Sequence, residues 1–481
     1  KEDENWDGNA CNMPDYNIYL TSTGSVLFNS DTSAIGSFQF NVDGANILNA
    51  SGGKAEKLKL KKPFIDKKKA FDLTRANIII KHVPYWGVDE NDIGYIRITK
   101  FSKNTAKDFS IALKELIQQE MKGLVIDLRG NSGGLLNTVV TTKHKIGILD
   151  YLTERHTDLL NTKGRLRRQN KKFISRMASS IDDLPIAILI DRSSASASEI
   201  VAGVIQDLDR GIIVGEKSFG KGLVQSMYNL NDTTTLKVTT AKYYTPSGRL
   251  IQKEDYLNNG FLTDGLDKKD STFTTRGGRI VKGGGGITPD VEIKKTSLPP
   301  YVQGLWKEGV FLTFAADYVP KKNIVEPVVI TDKIYKDFAI FLQEYEISYK
   351  LPGEKDLKKL KTALKSQEDL KKKSKPSILS RLTFWKNPLS AMNKLTVGID
   401  EYFHNKRDGQ YWDPENIKWI KNGLLREMSL VVSGKRGRIR VSLFEDNVYQ
   451  EAVEILQDLN RYYDLLEPQP ETAEEKIEKD Y

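Results

Sequence analysis

Two serine-bearing turns and one glycine-flanked lysine are the places in this sequence where residue types and spacing allow covalent chemistry. A serine hydroxyl is a poor nucleophile until a base takes its proton. Ser132 lies in "LVIDLRGNSGG" (124–134), which satisfies G-x-S-x-G, the pattern of a nucleophile on a strained strand-to-helix turn. The usual base would be histidine, and the chain has four: His82, His144, His156 and His404. The order Ser, Asp/Glu, His leaves His144 and His156, in a charged irregular stretch, and His404, far away in the C-terminal region. An upstream base would have to be His82, and no strand-only pattern surrounds it.

The second serine is Ser196, in "DRSSASASEI" (191–200). It follows the apolar run "LPIAILID" and opens a segment whose Ile200, Val201, Val204, Ile205 and Leu208 form one helical face. Ser196 and Glu199 fit the S-x-x-E capping box, so Ser196 is read either as a helix cap or as a nucleophile at the helix entrance. Downstream, "GEKSFGKGLVQ" (215–225) sets Lys221 between Gly220 and Gly222. A lysine serves as a base if desolvation lowers its pKa from about 10.4 towards neutrality. Gln225 is four residues on, an even separation that puts both side chains on one side of an extended chain. A glutamine orients a neutral amine without adding charge, whereas a carboxylate there would favour the ammonium. The competing reading of Lys221 is a solvent-facing loop lysine.

These turns need elements to hold them. The chain has 481 residues, enough for two to four domains at roughly 100–200 residues each. Strand candidates "ANIIIKHV", "IGYIRITKF", "GLVIDL", "LPIAILID" and "GIIVGE" alternate with the helical patterns "AKDFSIALKELIQQEM" and "SEIVAGVIQDL". That alternation predicts an α/β core from about 77 to 295, closed by a hinge-like turn at "KGGGGITPD" (282–290). Residues 1–60 read as short strands and loops. Segments "YKDFAIFLQEYEISYK", "DLKKLKTALK" and "NVYQEAVEILQDLNRYYDLL" read as helices, followed by an acidic, frayed tail. The net charge of +9 is spread along the chain. The dense run at 355–375 mixes acids into its lysines at helical spacing, as a solvated helix face does, so nucleic acid is not the expected partner. A single cysteine, Cys11, excludes internal disulfides and cysteine metal sites. No apolar run approaches the ~18 residues of a membrane span.

In several ordered motifs the sequence resembles the C-terminal processing (tail-specific) serine proteases, including those of the Bacteroidetes type. These are "GYIRITKF", "LVIDLRGNSGG", "DRSSASASEIVAGVIQDLDRGIIVGEKSFGKGLVQ", "LKVTTAKYYTPSGRLIQ" and "GGGGITPD". The resemblance implies an α/β (α+β) protease core at 76–298. It also implies a β-rich N-terminal region at 1–75, a partial or degenerate PDZ-like module, and a mostly helical region at 299–481. It implies a Ser–Lys endopeptidase with Ser196 as nucleophile, Lys221 as general base and Gln225 orienting the lysine. Gly134 and Ala197 would supply the oxyanion-hole N–H groups, leaving Ser132 a bystander. No metal or other cofactor is expected. Expected partners are protein or peptide substrates, unfolded or with exposed C-termini, and an adaptor or a second copy through the N- and C-terminal regions. The expected compartment is the periplasm or another extracytoplasmic space. Two alternatives are an α/β-hydrolase or esterase using Ser132 and a catalytically silent scaffold.

Overall fold

The computed structural model describes residues 80–142, 145–253, 271–294, 296–373, 388–407 and 409–468, together with two short strands, β1 (Ile18–Leu20) and β2 (Val26–Phe28). The chain divides into two compact units, Lys1–Ile79 with Thr313–Asn323, and Ile80–Leu312 with Ile324–Tyr481. In the first, β1 and β2 pair antiparallel. The rest of the expected PDZ-like region and the acidic tail beyond 468 lie outside the described residues.

The second unit is built on a six-stranded sheet. Its strands are β3 (Tyr85–Val88), β4 (Ile93–Arg97), β5 (Gly123–Asp127), β8 (Ile186–Ile190), β9 (Ile212–Gly215) and β14 (Val291–Glu292), in the order β14-β9-β8-β5-β4-β3. All neighbours run parallel except the edge pair β3–β4. Central strands are buried at every position, and apolar except for Asp127 at the end of β5, because both faces are covered. Leu124, Ile126, Ile186, Ile188 and Ile213 point to one side, where they pack with Phe109, Leu113 and Leu116 of α1 (Thr105–Gln118) and with Ile200, Val204 and Ile205 of α3 (Ala197–Asp207). Between these two helices lies the short α2 (Leu136–Val139). Val125, Ala187, Leu189 and Val214 point to the other side.

That second face is covered by residues from late in the chain. Val448, Tyr449, Ala452, Val453 and Leu456 of α10 (Asn447–Gln457) pack on it, joined by Tyr462 of α11 (Leu459–Asp464). The mixed α/β core therefore recruits its last layer from the helical C-terminal region. The remaining helices are α4 (Pro300–Lys307), α5 (Val310–Lys322), α6 (Asp332–Leu342), α7 (Glu354–Lys373), α8 (Pro388–Arg407) and α9 (Pro414–Ser442). No helix among the described residues is long and apolar enough to cross a membrane.

Three expectations are corrected. "ANIIIKHV" is not a strand over its described part: residues 80–83 are irregular, and the edge strand begins beyond Pro84, at Tyr85. The charged stretch around His144 and His156, which reads as irregular, runs on into two strands, β6 (Asp158–Gly164) and β7 (Lys171–Ile174). These join β10 (Leu223–Asn229) and β11 (Thr235–Tyr244) in a second sheet ordered β10-β11-β6-β7. The glycine turn after the hairpin of β12 (Thr272–Thr274) and β13 (Ile280–Lys282) is packed rather than hinge-like. A Cβ on Gly286 would come 2.6 Å from Ser218 O, so the glycine is needed for close approach.

Candidate functional site

Strands β5, β8 and β9 are consecutive neighbours running the same way, so the loops leaving their C-terminal ends meet at one edge of the sheet. Open parallel sheets place their chemistry at such edges. The loop after β5 carries the glycine turn, that after β8 carries Ser196, and that after β9 carries Lys221.

Asn131 joins the first two loops. Its buried carbonyl accepts from Ala195 N at 3.0 Å and from Ser198 Oγ at 2.8 Å, while its side chain receives Gly133 N at 2.9 Å and donates to Ile98 O at 3.0 Å. The glycine turn is thereby pressed against the nucleophile turn. A Cβ on Gly133 would lie 2.8 Å from Ser196 Cβ and 3.0 Å from Ala197 N. Gly134 has φ of +153°, and a Cβ there would strike Phe101 O. Neither Gly134 N–H nor Ala197 N–H meets an acceptor among the described residues. Ala197 is the first residue of α3, where the helix leaves its N–H groups unpaired and its dipole favours negative charge.

Ser196 occupies the N-cap position with φ 54° and ψ −110°, a conformation that costs a non-glycine residue about 1–3 kcal/mol. Such strain persists only where the surroundings impose it, and here they do. Ser196 N donates to Glu199 Oε2 at 2.8 Å, and Ser196 O accepts from Ile200 N at 3.0 Å.

Lys221 is half-buried, and its Nζ donates to Gln225 Oε1 at 3.3 Å. Gln225 lies on β10, at a β-bulge between Val224 and Gln225. Burial lowers the pKa of the Lys221 amine below its ordinary 10.5, with Lys237 adding repulsion and Glu199 opposing both. The flanking glycines let the loop dock closely. Gly220 has φ of +88° and sits against Lys253 and the Gly285–Gly286 backbone, and Gly222 N donates to Gln252 Oε1 at 2.9 Å.

Two buried residues that the sequence did not mark as part of the site link the serine and lysine loops. The first is Glu199. Its Oε2 accepts from both Ser196 N and Lys221 N at 2.8 Å, and its Oε1 from Ser218 Oγ and Gly220 N at 2.6 Å. Two such bonds to one oxygen hold the two backbone nitrogens within twice that distance of each other. The capping-box pattern signalled only the bond to Ser196. The second is Tyr243, whose hydroxyl contacts Ser196 O at 3.1 Å and also Lys221 O. No local pattern marks that tyrosine.

The structure thus brings Gly134, Ser196, Ala197, Lys221 and Gln225 to one edge of the sheet. It does not bring a histidine to Ser132. Ser132 is exposed, and none of the hydrogen bonds among the described residues joins it to one. His156 and His404 are exposed, His82 is partly so, and His144 lies outside the described residues. Among the described residues no group of His, Cys, Asp and Glu side chains is placed to hold a metal ion.

Residues 92–260 match the family model described as peptidase family S41, and residues 301–382 match that of the C-terminal helical domain of probable PDZ-proteases. A carboxy-terminal-processing protease of Bartonella bacilliformis is 38% identical over 192 residues, 39% of this chain and 42% of that protein. The carboxy-terminal processing protease CtpB of Bacillus subtilis is 35% identical over 204 residues, 42% of this chain and 41% of that protein. Among solved structures, the photosystem II D1 C-terminal processing protease is 29% identical, with a TM-score of 0.33, covering 46% of this chain and 50% of that chain. The matches span less than half the length of those curated relatives.

Proposed function

The chain carries a peptidase family S41 domain, and from that premise we propose that it is a serine endopeptidase working through a Ser196–Lys221 dyad. Ser196 Oγ attacks a peptide carbonyl carbon as its proton passes to the neutral Lys221 amine. Gln225 Oε1 accepts from that amine and aims it without adding charge. The oxygen that becomes negative is received by Gly134 N–H and Ala197 N–H. Loss of one such donor typically costs about 10²–10³ in rate. The lysine then protonates the leaving amine, and water attacks the acyl-serine by the reverse proton path.

The observation that carries this reading is the shared oxygen of Glu199, which ties the backbones of Ser196 and Lys221 together while burial lowers the pKa of the lysine. Relatives named for carboxyl-terminal processing point to protein substrates cut at or near their C-termini. The match of 301–382 to a PDZ-protease helical domain supports a PDZ-type module elsewhere in the architecture, and a periplasmic or other extracytoplasmic site of action is part of the same proposal. The N- and C-terminal regions are the places where an adaptor or a second copy would bind.

Lys221→Ala tests the reading. The expected result is a loss of at least about 10³-fold in cleavage of a loosely folded protein substrate, with the unfolding transition retained. In the parent, kcat/KM should rise with pH through a lysine pKa below 10.5, because the ammonium cannot accept the serine proton. Parent-like activity in Lys221→Ala would remove the lysine from the mechanism. A parent that cleaves nothing, and whose Ser196 takes no serine-directed probe, would favour a silent scaffold.

A further inference from the structure

Glu199 is more than a helix cap. It is buried, it belongs to the first turn of α3, and it meets four hydrogen-bond donors drawn from two stretches of chain, Ser196 and 218–221. None of the four is cationic. Among the described residues no arginine, lysine or histidine forms an ion pair with it. Burial alone would cost such a carboxylate several kcal/mol, so its surroundings must be arranged to keep it.

We propose that Glu199 is a positioning residue for the Ser196–Lys221 chemistry: its two oxygens fix the backbones of the nucleophile and base loops in one register while its charge faces amide N–H groups instead of the amine. This rests on the dyad reading above. The contact geometry explains the division of labour. Oε2 is shared between Ser196 N and Lys221 N, so neither loop can shift without stretching a bond to the other's anchor. Oε1 holds Gly220 N and Ser218 Oγ, and Ser218 Oγ in turn receives Ile287 N at 2.7 Å from the glycine turn. Tyr243 adds a second link, through the carbonyl oxygens of the same two residues. Each dyad residue is therefore held at both ends of its backbone by a partner common to the other.

A carboxylate suits this task better than an amide. Two oxygens offer about four acceptor sites, matching the four donors, whereas glutamine would turn an NH₂ towards at least one N–H. A direct Glu–Lys ion pair would also position the lysine, but it would hold the amine protonated. Gripping the peptide nitrogen avoids that.

The test uses the full chain with Glu199→Gln, read in two independent ways. Amide hydrogen exchange at Gly220 and Lys221 should accelerate by about tenfold or more while the thermal transition persists. Unchanged protection would overturn the proposal whether or not the chain cleaves anything, which separates it from failure of the dyad reading. The rate at which a fluorophosphonate probe labels Ser196 should fall by about 10²-fold, the cost of roughly an ångström of misplacement. Its acid limb should also move to lower pH, because a negative charge that favours the ammonium has been removed. A side chain serving only the fold would lose rate with the limb unmoved, and that outcome overturns the positioning role. Tyr243→Phe, which deletes one hydroxyl, should slow labelling by a few-fold without shifting the limb. A rate equal to the parent's would confine the clamp to Glu199.

Discussion

Two buried carboxylates flank neighbouring loops of the same sheet edge and are treated in opposite ways. Asp127, at the end of β5, accepts from Tyr95 OH at 2.7 Å, Arg97 Nη1 at 2.5 Å and Arg129 through its N, Nε and Nη2 at 2.9, 3.0 and 2.7 Å. Burial pushes its pKa up, but Arg129 and Arg97 more than offset this and hold it well below its ordinary value. Glu199 has only neutral donors, and burial raises its pKa in spite of them. Guanidinium groups favour the charged form of the first and make it an architectural fixture. Amides let the second remain an acceptor hub beside a basic amine without forming an ion pair with it.

Asp127→Asn should have the largest effect on folding. It removes the anion between two arginines, and breaking a buried pair costs about 3–5 kcal/mol, measurable by urea unfolding. A loss under 1 kcal/mol would erase the contrast. Glu199→Gln should cost less, about 1–3 kcal/mol, since the groups left unpaired are neutral. Its loss of activity should be far out of proportion to that.

The pH dependence sharpens the comparison, because the two shifts have opposite sign. Asp127's folded value is depressed, so its contribution is present above 3.8 and fades as pH falls below it. Glu199's folded value is raised, so its contribution is full below 4.5 and fades as pH rises through the raised value. Across a pH series of unfolding curves, the parent's advantage over Asp127→Asn should widen with rising pH, while its advantage over Glu199→Gln should narrow. Parallel trends would show the two sites to be alike. The smallest effect is expected from Asp446→Ala, which removes the N-cap of α10 and one partner of Arg129, at about 1–2 kcal/mol.

Much of this was legible in the sequence because it is local. The apolar runs at 124–128, 186–190 and 212–214, broken by turns and helical faces, announce a parallel sheet buried on both sides. Ser196 and Lys221 stand out through small residues that only a tight, closely packed turn requires. What stayed hidden is non-local. Three of Glu199's four donors lie 19 to 22 residues away in sequence, and Tyr243 lies 47 from Ser196. Asn131 reads as one more turn residue until its carbonyl meets the Ser196 loop. The segment 447–466 reads as one helix, but Asp458 caps a second one by accepting from Arg461 N at 3.2 Å. Nothing in its 3.6-residue pattern says that its apolar face belongs against β5, β8 and β9, more than two hundred residues upstream.

That last packing has a consequence for how the molecule is made. The strands bearing the glycine turn, the serine and the lysine all emerge from the ribosome before residue 216, yet the layer that dries Val125, Leu189 and Val214 is synthesised only at 448–462. Arg129, adjoining the glycine turn, meets its second carboxylate, Asp446, at the same late moment. A nascent chain would carry the three loops of the candidate site for more than two hundred residues of translation with one side of its sheet still wet, and that sheet edge would mature only once the helices at 447–464 had folded back.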